Sequence, residues 1–228
     1  DSIDGYRNQA GTVHVQNKPV YSAELAPVLG AGYRQTWRQL LFHTYRCFVS
    51  GVNYAVWHGY AYRTDLEDSR EQWPGYSPMT PLFGEELGSR IPSWQYCRAA
   101  NDTITRQQTF LQYGTAKVDL AVYHHSYYEN NLAPDYSMED TLETHGYSLD
   151  YLSPSLMQPE LEVKDGMLLP NGPGYRGILL LNQQTISLHG VRCLTRYAQK
   201  GLPILIVGTV PSRSPFARET GIDRAMQQ

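Results

Sequence analysis

Apolar residues run together over Val52–Trp57, follow Gly51, and lead directly into His58-Gly59-Tyr60. A short, β-rich apolar run after a glycine predicts a buried strand rather than a helix. Upstream, Asn17-Lys18-Pro19 predicts a turn, and Val20–Glu24 a short strand ending in a carboxylate. Between them Trp37, Leu40, Leu41, Tyr45, Phe48 and Val49 fall on one helical face, which Gly51 closes. The order is strand, helix, strand, so Glu24 and His58 stand at equivalent ends of two parallel strands about 4.8 Å apart. A second helix is predicted from Ser93, after Pro92, through Trp94, Cys97, Ile104 and Leu111 to Gly114. Residues 64–92 form a long connection rich in Pro, Gly and acidic residues, the kind that serves as a binding loop or lid.

The rhythm changes at Lys117. Val118–Tyr123 is a strand, Ser137-Met138-Glu139-Asp140 opens a short helix that Gly146 ends, and Tyr147, Leu149 and Tyr151 alternate as another strand. Lys164-Asp165-Gly166 predicts a hairpin turn between Leu161–Val163 and Met167–Leu169. A fully apolar strand, Gly177–Leu181, then precedes a helix carrying Leu188, Val191, Leu194 and Ala198, and the strand Leu202–Val207. Near-continuous apolar strands alternating with helices predict an α/β fold with a mostly parallel, doubly wound sheet here. The expected domains are residues 1–114 and 115–228. Two strands and two helices cannot bury both faces of a parallel sheet, so the first part is expected to be incomplete. The chain then reads as the C-terminal piece of a larger protein, and Asp1 as a mature or cut terminus.

Composition narrows the function by exclusion. A formal net charge of -3 offers no electrostatic ground for a nucleic-acid or anionic-membrane partner. No apolar run is long enough to span a bilayer, and no signal peptide opens the chain. The 18 tyrosines against five phenylalanines give the aromatic character of secreted carbohydrate-active proteins. Cys47, Cys97 and Cys193 show neither CxxC spacing nor a disulfide framework, and read as small buried hydrophobes. Asn101-Asp102-Thr103 is a formal glycosylation acceptor, a triplet that chance often supplies. No strand is followed by GxGxxG and no serine sits in a G-x-S-x-G elbow, which argues against a dinucleotide site and a serine hydrolase.

The chemistry gathers around the first two strands. Glu24 is a candidate catalytic carboxylate, weighed against an exposed charge capping the following loop. His58 and Tyr60 are candidates for sugar contacts, because pyranose hydroxyls seek hydrogen bonds while their C–H faces stack on aromatic rings. Trp73, in Trp73-Pro74-Gly75, is a stacking platform or a loop aromatic pinned to the fold. Trp57 is a further candidate for the sugar pocket, although alternation turns it away from His58 and makes core packing an equal reading. His124-His125, near Tyr127, Tyr128 and Glu129, invite a metal, but adjacent strand residues face opposite ways and no third ligand falls at useful spacing. The acidic stretch Asp65–Glu71 and the pair Glu85-Glu86 read as solvated charges.

Pro19-Val20-Tyr21-Ser22-Ala23-Glu24, Gly51-Val52-Asn53 and Trp57-His58-Gly59-Tyr60, then Trp73-Pro74-Gly75-Tyr76, resemble glycoside hydrolase family 106 in order and setting. The likeness continues through Pro92-Ser93-Trp94, Arg106-Gln107-Gln108, Lys117-Val118-Asp119-Leu120-Ala121 and Val163-Lys164-Asp165-Gly166 to Gly201-Leu202-Pro203-Ile204. It is nearest to the fungal secreted branch of these α-L-rhamnosidase-like proteins. The resemblance implies the last strand–helix units of a (β/α)8 barrel followed by a Rossmann-like domain of the glutamine-amidotransferase type. It implies an extracellular α-L-rhamnosidase with Glu24 as general base, its partner carboxylate lying upstream, and a rhamnose-containing glycan or glycoside as substrate. No cofactor is evident; calcium is compatible with the family, but no ligands are assignable. A non-catalytic carbohydrate-binding or structural protein of the same fold is the alternative.

Overall fold

The computed structural model describes residues 3–25, 28–64, 71–76, 87–125 and 137–215, without the side chains of 3–4, 63–64, 71–76 and 137–140. The elements in chain order are α1 (Ile3–Val15), β1 (Ser22–Leu25), α2 (Trp37–Val49), β2 (Tyr54–Trp57), β3 (Tyr62–Thr64), β4 (Glu71–Tyr76) and α3 (Cys97–Leu111). After these come β5 (Leu120–Tyr123), α4 (Ser137–Thr144), β6 (Leu149–Leu152), β7 (Val163–Lys164), β8 (Met167–Leu168), β9 (Ile178–Leu181), α5 (Leu188–Gln199) and β10 (Ile204–Val207). The chain is a mixed α/β protein with parallel sheets, and it divides into two compact units. The first holds Asp1–Tyr6 and Pro19–Gly114, the second Arg7–Lys18 and Thr115–Gln228.

In the first unit β1 and β2 pair in parallel, with Ser22 opposite Tyr54 and Glu24 opposite Val56. Parallel strands need a crossover, and α2 supplies it. Thr36 caps that helix reciprocally: its hydroxyl accepts from the Gln39 backbone N–H at 3.3 Å, and the Gln39 side chain accepts from the Thr36 N–H at 2.9 Å. Gly51, at φ 99°, ends it in a conformation that suits glycine. The buried stripe of α2 is Leu40, Thr44 and Cys47, whereas Tyr45 and Val49 are exposed. The expected apolar face is therefore rotated. Thr44 draws the stripe round, because its hydroxyl donates to the Leu40 carbonyl at 2.9 Å and accepts from the Trp57 indole at 3.1 Å. Leu25, Cys47 and Val52 form the core, with Ala23, Ala55 and Trp57 packed on it.

The connection expected to lack structure from 64 onward contains strands instead. β3 and β4 form an antiparallel pair with a register shift, so Trp73-Pro74-Gly75 lies within a strand rather than a turn. A two-stranded ribbon has free edges, where a proline's missing N–H leaves no ladder bond broken. The side chain of Trp73, the Asp65–Arg70 and Glu85-Glu86 charges, and Tyr127, Tyr128 and Glu129 lie outside the described residues.

The second unit holds a four-stranded parallel sheet in the order β10-β9-β5-β6. Its central strands β5 and β9 read apolar because both faces are covered, with Tyr123, Tyr175 and Tyr197 fully buried on one side and Val122, Leu149 and Leu179 on the other, whereas β6 carries Asp150 and the edge strand β10 leaves Leu205 and Ile206 exposed. Ser187 caps α5 by accepting from the Gly190 N–H at 3.0 Å, and Gly201 (φ 94°) terminates it. Asp165 and Gly166, at φ 51° and 72°, make the β7–β8 turn with both central residues left-handed.

Helix α1 has no counterpart among the expected elements. Its apolar periodicity is weak and it contains two glycines, each costing about 1 kcal/mol in a helix interior. Gly11 is explained by contact: a Cβ there would collide with the Tyr151 backbone carbonyl. Residues 7–18 are fastened to this unit by polar groups. Arg7 pairs with Glu143, and the buried Asp150 takes two bonds on one oxygen, 2.7 Å from His14 Nδ1 and 2.7 Å from the Tyr175 hydroxyl that donates to it. Burial, then the neighbouring Asp150, push the Tyr175 phenol far above its ordinary range, so it stays a donor.

Removing a donor from a buried carboxylate costs more than the bond's net worth, because the charge stays behind. Tyr175→Phe is expected to destabilise the protein by roughly 1.5–3 kcal/mol in urea denaturation. A loss under about 0.5 kcal/mol, the range of an ordinary surface change, would show that Asp150 does not depend on this phenol.

His124 and His125 follow β5 on opposite sides of the strand. The His124 ring lies 5.3 Å from Tyr151, whereas His125 lies 5.5 Å from Tyr123 and its Nε2 is 2.7 Å from the Thr185 carbonyl. Burial holds both imidazoles below their usual pKa, so the fold favours the neutral rings. Their contribution is present in full above the ordinary value of 6.5 and is lost as the pH falls through it toward the lower folded values. The melting temperature should therefore fall between about pH 7 and pH 5. A His124→Gln/His125→Gln double variant should flatten that slope, and an unchanged slope would assign it to other groups.

Candidate active site

Period-two alternation divides β1 and β2 into two faces. Ala23, Leu25, Ala55 and Trp57 turn toward α2 and the core; Ser22, Glu24, Tyr54 and Val56 turn away and are exposed. Glu24 is the penultimate residue of β1, beside Val56 and one step short of the strand's carboxyl end. The ladder extends one residue past β2, since the His58 N–H donates to the Leu25 carbonyl at 2.8 Å. His58 thus continues the Tyr54–Val56 face, and it stands beyond Glu24 at the same rim. The His58–Gly59 peptide is cis.

Tyr60 comes next and is two-thirds exposed, with its ring edge-on to Trp94 at 6.3 Å. Its backbone is anchored by Leu87: the Leu87 N–H donates to the Gly59 carbonyl at 2.8 Å, and the Ala61 N–H to the Leu87 carbonyl at 3.0 Å. The structure therefore brings Glu24 and His58 to one rim, whereas Tyr60 stands with Trp94 on the side of Ala55 and Trp57. It places Trp57 on the other side of the strand, against Trp37 at 5.7 Å and bonded to Thr44. Tyr54 shares the Glu24 face and was not among the expected site residues. Counting back by twos from His58 would have found it.

A family model described as alpha-L-rhamnosidase matches residues 2–227. The chain belongs to the α-L-rhamnosidase family of glycoside hydrolases. The structure of the rhamnosidase from Novosphingobium sp. PP1Y matches with a TM-score of 0.72 at 21% identity, over 98% of this chain and 20% of that one. At that identity the likeness concerns the fold, and this chain spans about a fifth of that rhamnosidase's length. No protein with a curated description matches the chain. Among the described residues no three or more His, Cys, Asp or Glu side chains come together as a metal site, and no helix is long and apolar enough to cross a membrane.

In this α-L-rhamnosidase-family chain the outer edge of β2 is closed by side chains. The Ala55 N–H donates to Gln108 Oε1 at 2.6 Å, and Gln112 Nε2 donates to the Asn53 carbonyl at 2.8 Å. Those two backbone atoms are the pair that one residue of a further parallel strand would engage. Two glutamines one turn apart, one in the last turn of α3 and one at its C-cap, thus supply the acceptor and donor of a missing peptide group, and protect an edge that would otherwise lie open.

Gln108→Leu should expose the Ala55 amide. Its hydrogen exchange is expected to accelerate at least tenfold relative to neighbouring β2 amides bonded to β1, such as Val56. Equal protection in parent and variant would mean that Gln108 does not close this edge.

Proposed function

We propose that the protein carrying this chain is a glycoside hydrolase that releases α-L-rhamnose from plant or microbial glycans or glycosides, with Glu24 as its general base. The observation that carries this reading is Glu24 itself: a carboxylate on the open face of a parallel strand pair, beside the carboxyl rim where His58 follows. Family membership supports the same chemistry. Inverting hydrolysis needs two carboxyl groups roughly 6.5–9.5 Å apart, one giving a proton to the leaving oxygen and one taking a proton from water. In this reading Glu24 is the ionised member, and the protonated member comes from outside the chain.

The first unit is then the C-terminal part of a (β/α)8 barrel, whose strand ends carry the site. The second is a Rossmann-like domain of the amidotransferase type, without the cysteine nucleophile such chemistry needs. His58 and Tyr60 line the sugar pocket. Trp73 is assigned there as a stacking platform, and Trp57 supports the rim from behind β2. The aromatic composition fits a secreted protein, as in the fungal branch.

The test is rhamnose release from an aryl α-L-rhamnoside by the full-length protein and its Glu24→Gln variant. Loss of at least a thousandfold in kcat, with the melting temperature kept, is expected for removal of the base and its charge. A folded parent without turnover on several aryl glycosides would point instead to a carbohydrate-binding protein of the same fold.

A further inference from the structure

On the open face of the β1–β2 pair, Ser22, Tyr54, Val56 and His58 flank the candidate catalytic carboxylate. Ser22, Tyr54 and His58 each end in a group that makes hydrogen bonds. Val56 offers only hydrocarbon. It is the direct register partner of Glu24, about 4.8 Å away across the ladder, and it turns to the same side of the sheet. Val56 is 46% exposed, although its neighbours Ala55 and Trp57 reach the packed face. An aliphatic group is an odd companion for a carboxylate, because it does nothing to solvate the charge. The pairing that brings the two together belongs wholly to this chain. Further strands of a barrel would join at the outer edges of β1 and β2; they would add walls around Glu24 and Val56 without coming between them.

We infer that Val56 is a specificity-determining residue, the contact that receives the methyl group on C5 of an α-L-rhamnosyl ring. The inference rests on the functional reading above, with Glu24 as base. Rhamnose is 6-deoxy-L-mannose: the two sugars differ only at C6, a methyl in one and a hydroxymethyl in the other. Every other exocyclic substituent of the rhamnosyl ring bears oxygen. The methyl is therefore the substituent that gains from an aliphatic partner, whereas a ring hydroxyl set against Val56 would forfeit its hydrogen bonds. C5 is joined to the reacting C1 through the ring oxygen. That link keeps the methyl close to the water that Glu24 activates, and so within reach of the residue beside Glu24. An L-mannosyl ring in the same pose would press its extra hydroxyl against the valine. A hydrophobic contact rejects an added hydroxyl by about a hundredfold at most, which bounds the preference that Val56 sets.

The experiment compares kcat/KM for an aryl α-L-rhamnoside and the matching aryl α-L-mannoside in the full-length protein and its Val56→Thr, Val56→Ala and Glu24→Gln variants. Binding of free L-rhamnose and L-mannose to the same proteins is measured by calorimetry. Val56→Thr keeps the β-branch and exchanges one methyl for a hydroxyl, so the strand is retained. The parent is expected to favour the rhamnoside by about tenfold to a hundredfold, and Val56→Thr to shrink that ratio at least fivefold. Val56→Ala should raise KM for the rhamnoside more than for the mannoside. A residue that only packs would slow both substrates equally, and an unchanged ratio in both Val56 variants would overturn the assignment. The two readings fail separately. Turnover lost in Glu24→Gln with the ratio unmoved in the Val56 variants refutes the role of Val56 alone. Turnover kept in Glu24→Gln with the ratio shifted by Val56→Thr refutes Glu24 as base and leaves Val56 in place. In a parent without turnover the calorimetric preference between the two free sugars decides in the same way, and binding of neither overturns both.

Discussion

Parallel strand pairing is the constraint on which both units depend. A parallel neighbour cannot be reached by a tight turn, so every pairing brings a crossover, and every crossover returns the chain to the same end of the sheet. The carboxyl ends of β1 and β2 therefore share an edge, as do those of β5, β6, β9 and β10. In the first unit that edge carries Glu24 and His58. In the second it carries His124 and His125, together with the Asn182–Ile186 stretch that receives one of their rings. Alternation then sorts each strand's residues between packing and chemistry, and in β2 the two roles lie one residue apart, with Trp57 holding the helix and Val56 and His58 facing out.

The two units spend polar groups in different ways. In the second, a buried carboxylate is held by an imidazole and a phenol, and these bonds fix residues 7–18 to the sheet in one register. Breaking such a network by removing one partner is costly, because it leaves a buried polar group uncompensated. In the first, the threonine of α2 and the glutamines of α3 satisfy backbone or indole groups that the short sheet leaves over. Side chains there complete what strands would supply in a wider sheet.

Much of this was legible in the sequence where a single period dominates. The Asp165-Gly166 turn, the strand over Ile178–Leu181 and the helix stopped by Gly201 each carry a strong local signal, and each stands where it was expected; the Val52–Trp57 run becomes a strand only from Tyr54, and Tyr54 and Val56 are exposed where burial was expected. The parallel relation of Glu24 to the β2 rim was legible too, through the intervening helix. What was not legible depends on distant partners. Helix α1 is held by Asp150 and by the close approach of Tyr151 to Gly11, contacts more than a hundred residues away. The buried face of α2 turns on a threonine whose partner is a tryptophan on another element. The β3–β4 ribbon hides behind a Trp-Pro-Gly triplet that locally reads as a turn. Of the candidate residues, Glu24 and His58 share the open face of the strand pair, while Trp57 and Tyr60 lie behind it.

The glutamine-capped edge of β2 has a consequence for how this sheet can grow. An edge sealed by backbone, by proline or by buried charge is closed for good. One sealed by two flexible amides is closed reversibly, because an arriving strand would exchange two hydrogen bonds for two of the same kind and only two side chains would have to swing aside. Assembly across this edge is then nearly isoenthalpic in its hydrogen bonds, and the balance between the capped and extended sheet is left to the apolar surface that an added strand would cover.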